Sequence, residues 1–149
     1  MKNPDIEALN KRIRTDVLIT QILSGVFAVM TVIRLVTHEP GHACKDAFIA
    51  VIALLTGLLF TDIRKSGKPF AKSVITKLRV LAIVVMCSGY VSQAVESIAA
   101  GMRNGGTNFA FRLTDPGALL IAFVGIMIGI FSEVFVYGHA LQDDMDHIA

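Results

Sequence analysis

The chain has 149 residues, of which 54% are hydrophobic and 17% are charged, whereas an average soluble domain is roughly 45–50% apolar and about 25% charged. This composition argues against a water-soluble globule. The net charge is only +2 and no Lys- or Arg-rich tract is present, which argues against nucleic acid as a direct partner.

The N-terminal segment, residues 1–16, is predicted to form a short amphipathic helix on the membrane surface. Pro4 suits the start of a helix, and Ile6, Leu9 and Ile13 follow one another along one helical face. A solvated tail is the alternative interpretation of this segment.

Four apolar segments are long enough to cross a bilayer as helices, because about 20 apolar residues, within a range of roughly 17–25, span the hydrocarbon core. The segments are 17–36, 47–63, 80–100 and 117–138. The second is at the lower length limit and also resembles a buried helix of a soluble protein, but its neighbours favour a membrane span. The sequence therefore predicts an all-α integral membrane four-helix bundle that forms a single domain over 1–149.

Proline and glycine residues separate the four segments and mark where the helices start and stop. The clearest start signal precedes the fourth segment. There, Asp115 is predicted to be the N-cap and Pro116 the first helical residue, a position at which the missing N–H of proline is harmless.

The distribution of basic residues predicts the orientation, because Lys and Arg near helix ends are retained on the cytoplasmic side. Ten flank one side of the spans and four flank the other. The ten are Lys2, Lys11, Arg12, Arg14, Arg64, Lys65, Lys68, Lys72, Lys77 and Arg79, and the four are Arg34, Lys45, Arg103 and Arg112. Both termini are therefore predicted to be cytoplasmic, with the connections 37–46 and 101–115 facing outward.

Arg34 and Glu96 are ionisable residues inside predicted spans, where each needs a partner or a function because a charge is costly in lipid. Arg34 lies near the outer end of the first span, and Glu96 lies near the outer end of the third. They are therefore predicted to pair across the outer part of the bundle. The alternative is that both side chains extend to the headgroup region.

Glu133 is the third intramembrane ionisable residue and lies near the inner end of the fourth span. Gln21 in the first span is at the same level and could donate a hydrogen bond to this carboxyl, while Lys77 or Arg79 could supply a positive charge. The simplest interpretation is a polar group that joins helices. A proton- or ligand-responsive carboxyl is the alternative.

The residues 38–42 read His-Glu-Pro-Gly-His and match the H-E-x-x-H pattern of zinc peptidases. That chemistry needs both histidines on one face of a continuous helix, and the central proline and glycine work against such a helix. We therefore expect a surface loop without peptidase activity. Weak metal binding in this loop is the alternative, because its ligand types suit zinc. The ligands would be His38, His42, Cys44 and Asp46.

Small residues four positions apart allow membrane helices to approach closely. Gly125 and Gly129 form such a pattern in the fourth span, and they are predicted to pack helices within one chain. A homo-oligomer along the same pattern is the alternative.

The acidic C-terminal segment, residues 139–149, contains no Lys or Arg. Together with the basic connection between the second and third spans, it is predicted to form a docking face for a cytoplasmic partner. The docking residues are Arg64, Lys65, Lys68, Asp143, Asp144 and Asp146. The sequence has no phosphate-binding loop, no nucleophile with a matching base and no haem or iron–sulfur spacing, so it predicts no catalytic residue and no cofactor.

Two motifs resemble those of a family of small four-helix bacterial integral membrane proteins classed as a domain of unknown function. The motifs are Gly-Lys-Pro-Phe at 67–70 with Leu78-Arg79, and Ser-Glu-Val-Phe at 132–135 with Gly138, Leu-Gln-Asp-Asp at 141–144 and Asp146. With the four spans, the resemblance covers nearly the whole chain. The outer His/Cys loop and the ending at 147–149 depart from the family pattern.

The resemblance implies a multi-pass protein of the bacterial inner membrane, without catalytic residues. Members are often encoded beside a small helix-turn-helix regulator, which implies a regulatory protein as partner. We therefore predict a non-enzymatic accessory or regulatory protein. One alternative is a small transporter or ion-handling protein that uses Glu96 and Glu133, and another is an immunity or stress protein that protects the membrane.

Overall fold

The computed structural model describes residues 4–66, 70–103, 105 and 113–148, and their side chains from 11 to 145. Four α-helices make up the described chain. They are α1 (Pro4–Val36), α2 (Pro40–Ser66), α3 (Lys72–Arg103) and α4 (Pro116–Ile148). All four are long and apolar enough to cross a membrane, which confirms the prediction of an all-α chain with four helices of membrane-spanning length. At 27 to 33 residues they are about 40–50 Å long, which exceeds the ~30 Å hydrocarbon core.

All four helices are longer than the apolar segments from which they were predicted. The predicted surface helix and first span form one continuous helix, α1. At the start of α2, Pro40 occupies the first turn, where its missing N–H breaks no hydrogen bond. The helix therefore begins at this proline, and residues 40–46 of the predicted outer loop 37–46 belong to α2.

Only three residues, 37–39, connect α1 to α2. His38 has a φ of 59°, and its N–H donates to Leu35 O, while the N–H of Glu39 donates to Arg34 O at 2.9 Å. This pair of bonds closes the C-terminus of α1 with a left-handed residue, as in a Schellman motif. The chain consequently reverses within one turn, and α1 and α2 form a tight antiparallel hairpin.

The start of α4 matches the sequence prediction. Asp115 Oδ2 accepts a hydrogen bond from the N–H of Ala118 at 2.9 Å, and Pro116 is the first residue of the helix. Asp115 is thus the N-cap, and the prediction is confirmed.

The four helices form a row in which each helix contacts its neighbours in the chain. Within the described ranges α1 contacts α2, α2 contacts α3 and α3 contacts α4, and no Cα atoms of other helix pairs come within 8 Å. Successive helices are antiparallel, so the beginning of α1, the α2–α3 connection and the end of α4 share one end of the row. We call this the terminus end, and we call the end with the connections 37–39 and 104–115 the loop end.

Small residues fill much of the contact between the helices. Apart from Asp46, every buried residue of α2 is Gly or Ala. α3 buries Ser88 and Ser92 and also four larger side chains, Val74, Ile75, Leu81 and Val85. No residue in the apolar window of α1 is buried. Close packing of small residues is typical of helix contacts in membranes, and α3 adds to it the burial of larger apolar groups.

Candidate functional site

Arg34 and Asp46 form the most buried ion pair among the described residues, at the loop end. The Nε of Arg34 lies 2.6 Å from Asp46 Oδ2, and its Nη1 lies 2.9 Å from Glu39 Oε2. Asp46 is only 8% exposed. The predicted pairing of Arg34 with Glu96 is therefore wrong, because the tight α1–α2 hairpin places Asp46 beside Arg34.

Glu96 pairs instead with Lys45, whose Nζ lies 2.9 Å from Glu96 Oε2. Gly41 allows this approach of α2 to α3, because a Cβ there would lie 2.9 Å from the Cβ of Glu96. Lys45 and Asp46 were not predicted as partners, because the sequence pattern placed both in the outer connection 37–46. In the structure α2 starts at Pro40 and includes both residues, with Lys45 beside α3 and Asp46 beside α1.

The predicted metal ligands at the loop end do not converge. Asp46 is held by Arg34, and Cys44 Sγ accepts a hydrogen bond from Ser92 Oγ at 3.8 Å. Among the residues that the structure describes, no three His, Cys, Asp or Glu side chains are close enough to hold a metal ion. His42 belongs to the first turn of α2, whereas His38 precedes it, so the two histidines do not share a continuous helix.

Glu133 at the terminus end pairs with Arg79, at 2.9 Å between Oε1 and Nη2. Of the partners that the sequence left open, Arg79 is thus the one that the fold provides. Gln21 cannot reach Glu133, because α1 and α4 do not contact each other. Lys77 pairs with Asp62 of α2, with 2.5 Å between Nζ and Oδ2. This contact was not predicted from the sequence.

The two glutamates of the predicted ion-handling site lie at opposite ends of the row. Glu96 is on α3 near the loop end. Arg79, the partner of Glu133, is on the same helix 17 positions earlier. That separation corresponds to about 25 Å along the axis. Glu96 and Glu133 therefore do not share one site.

We expect Glu133→Gln to change the free energy of unfolding by no more than about 1 kcal/mol. Arg79 and Glu133 are both more than half exposed and near the terminus end, where long side chains can extend to the headgroup region, and ion pairs in such a polar environment contribute little. Denaturant titration of the purified protein in micelles measures this change. A loss of several kcal/mol would contradict the expectation.

The C-terminal part of α4 extends past its contact with Phe70 at the terminus end. Phe70, after the end of α2, packs edge-on against Phe135 with 5.2 Å between ring centroids. It also lies against Gly138, where a Cβ would be 2.7 Å from its ring. The helix continues for ten more residues, to Ile148, a length of about 15 Å.

This extension has an exposed apolar stripe with acidic residues beside it. Tyr137, Leu141 and Met145 are four residues apart and therefore share one helical face. Leu141 and Met145 are each 65% exposed. Asp143 and Asp144 are also exposed, and His139 Nε2 lies 3.9 Å from Asp143 Oδ2. We call Tyr137, Leu141 and Met145 the α4 stripe.

The predicted docking face is divided between helices that do not contact each other. Arg64 and Lys65 are exposed at the end of α2, and α3 separates them from α4. Lys68 and the side chain of Asp146 lie outside the described residues. The structure thus places the acidic residues with the α4 stripe rather than with the basic residues of α2.

No protein-family model, curated protein or solved structure matches the chain.

Proposed function

We propose that the protein is a non-enzymatic membrane anchor that docks a partner protein through the C-terminal extension of α4. The observation that carries the proposal is the α4 stripe, which continues past Gly138, where α4 meets Phe70. An exposed apolar patch bordered by polar residues is typical of an interaction site.

The chemistry of the extension defines the partner. A helix that offers apolar residues at four-residue spacing binds another amphipathic helix face to face. Residues 139–149 contain Asp143, Asp144 and Asp146 but no Lys or Arg, so the partner helix carries basic residues beside its apolar stripe. The family resemblance supports a small regulatory protein as this partner.

The proposal requires the terminus end to face the cytoplasm. The excess of basic residues at this end, ten against four, supports that orientation. With it, the extension and the exposed Arg64 and Lys65 lie on the same side of a bacterial inner membrane. In this arrangement the basic residues of α2 contact anionic lipid headgroups, and α4 contacts the partner.

Site-specific photocrosslinking in intact cells tests the proposal. A photoreactive residue at Leu141 or Met145 is expected to yield one discrete protein adduct. The matched control is Leu120, which is also 65% exposed but lies in the apolar part of α4, and it should yield none. Asp144→Lys should reduce the adduct severalfold, because it places a positive charge beside a basic partner.

Adducts of equal intensity from Leu141 and Leu120, or adducts with lipid alone, would contradict partner docking. An unchanged adduct after Asp144→Lys would contradict the basic character of the partner.

The ion-handling alternative has less structural support, because Glu96 and Glu133 are far apart and each is paired with a basic residue. Protection of the membrane against a toxin remains a prediction that no particular contact favours.

A further inference from the structure

A lateral groove opens between α2 and α4 at the loop end, with α3 as its floor. It exists because α2 and α4 do not contact each other in the described chain, and because the floor residues Ser88, Gly89 and Ser92 are small. Its volume is about 550 Å³, within the roughly 300–1,000 Å³ of small-molecule sites.

The groove has an apolar end and a charged end. Ile52, Val85 and Ile121 line its end toward the middle of the helices, and Lys45, Glu96 and Asp115 line its end at the loop end, which we call the mouth. Lys45 and Ile52 are seven residues apart on α2, so the groove extends about 10 Å along the helix axes. This is the polarity of an amphiphile whose headgroup lies at the loop end and whose chain points toward the middle of the spans.

The mouth offers charges of both signs. Lys45 supplies a cation, which is paired with the carboxylate of Glu96 at 2.9 Å. Asp115 supplies a second carboxylate, one oxygen of which caps α4. Arg103 and His42 line an adjoining cavity of about 140 Å³ that shares Glu96. A purely anionic headgroup would meet both carboxylates, whereas a zwitterion can place its phosphate near Lys45 and its ammonium near Glu96 and Asp115.

Gln93 adds a polar group one turn below the mouth. Its side chain lines the groove, and its Oε1 is buried and finds no hydrogen-bond partner among the residues that the structure describes. A buried acceptor without a donor costs free energy. A small rotation of the side chain would turn this oxygen toward an N–H donor in the groove.

The geometry points to a binding site for a bilayer lipid with a primary-amine zwitterionic headgroup, of the phosphatidylethanolamine type. The phosphate contacts Lys45, the ammonium donates to Asp115, Glu96 and the Gln93 amide oxygen, and one acyl chain follows the groove toward Ile52 and Ile121. This site lies at the other end of the row from the α4 stripe and does not depend on the proposed docking function.

Competition binding to the purified full-length protein in micelles tests the site, with a phosphatidylethanolamine labelled in its acyl chain as probe. Unlabelled phosphatidylethanolamine should displace the probe at least about tenfold more effectively than phosphatidylcholine of the same chains, because the quaternary ammonium of phosphatidylcholine has no N–H to donate. Phosphatidylglycerol should also compete poorly, because it is anionic.

Three variants locate the headgroup. Glu96→Gln and Asp115→Asn remove negative charge, and asparagine preserves the helix cap. Gln93→Leu removes the amide. Each should reduce the preference for phosphatidylethanolamine over phosphatidylcholine, whereas Glu133→Gln at the terminus end should leave it unchanged.

A further pair of variants locates the acyl chain. Ile121→Trp should fill the groove and weaken binding of all three lipids, whereas Leu120→Trp on the outward face of α4 should not. Equal competition by phosphatidylethanolamine and phosphatidylcholine, tighter binding of phosphatidylglycerol, or binding insensitive to Ile121→Trp would each overturn the site. Formation of a dimer that Ile121→Trp disrupts would assign the groove to a second copy of the chain instead.

Discussion

Replacing Arg34 by methionine is expected to lower the free energy of unfolding by about 3–5 kcal/mol, the range for removing one partner of a buried ion pair. The Nε of Arg34 lies 2.6 Å from Asp46 Oδ2, and the side chain of Asp46 is only 12% exposed. Methionine approximates the apolar stem of arginine but leaves the carboxylate without its cation. Equilibrium unfolding of the purified protein in micelles measures the loss.

Two further variants separate the charge effect from other consequences of the substitution. Arg34→Met combined with Asp46→Leu removes both charges and should recover most of the lost stability, since replacing a buried pair by apolar residues is often neutral. Glu39→Gln removes the outer carboxylate, which is 48% exposed, and should cost no more than about 1 kcal/mol. A double variant as unstable as Arg34→Met would show that the buried charge is not the cause.

Gly125→Ala is expected to destabilise the protein by about 3 kcal/mol, the upper end of the usual cost of overpacking. A Cβ at this position would lie 2.5 Å from Met86 N, 2.7 Å from Met86 Cα and 2.8 Å from Ala82 O. All three atoms belong to the backbone of α3, so no side-chain rotation can relieve the clash. The two helices must separate, and in the described chain α4 contacts no other helix.

Gly129 and Gly25 provide matched controls for this substitution. A Cβ at Gly129 would lie 3.8 Å from the Cβ of Ala82, an ordinary contact, and one at Gly25 would meet nothing within 4 Å. Gly129→Ala and Gly25→Ala should therefore be nearly neutral in the same unfolding measurement. Equal losses for Gly125→Ala and Gly129→Ala would contradict the packing argument.

The contact of Gly125 with α3 makes a homo-oligomer along the small-residue pattern unfavourable. Gly125 is buried and faces α3, so this position is occupied within the chain. A second copy could reach Gly125 only after α3 and α4 had separated.

The length of the apolar runs was sufficient to predict four long apolar helices in antiparallel order, because long runs and short connections leave few arrangements. The cap at Asp115 was predictable for the same reason, since an Asp-Pro pair before an apolar run has one favourable role. The start of α2 was not predictable, because a proline can follow the end of one helix or begin the next. Here Pro40 begins α2, because His38 and Glu39 have already closed the C-terminus of α1.

The ion pairs depend on where α2 begins. A helix that starts at 47 leaves Lys45 and Asp46 in a loop, and Arg34 and Glu96 are then the remaining charged residues of opposite sign near the outer ends of the helices. The row of helices was also not predictable, because hydrophobicity alone does not distinguish a helix face in lipid from one that contacts another helix. For the same reason the sequence could not show that Gln21 of α1 and Glu133 of α4 are on helices that do not contact each other in the described chain.

The linear order of contacts also has a consequence for assembly. Because each helix of the described chain contacts only those adjacent to it in sequence, its stability can be compared with that of a repeat protein, which is approximately a sum of nearest-neighbour interfaces. Each new helix can dock on its predecessor as it is synthesised, without waiting for a distant partner. Weakening of the α3–α4 interface should therefore act first on the docking of α4 and least on the α1–α2 hairpin.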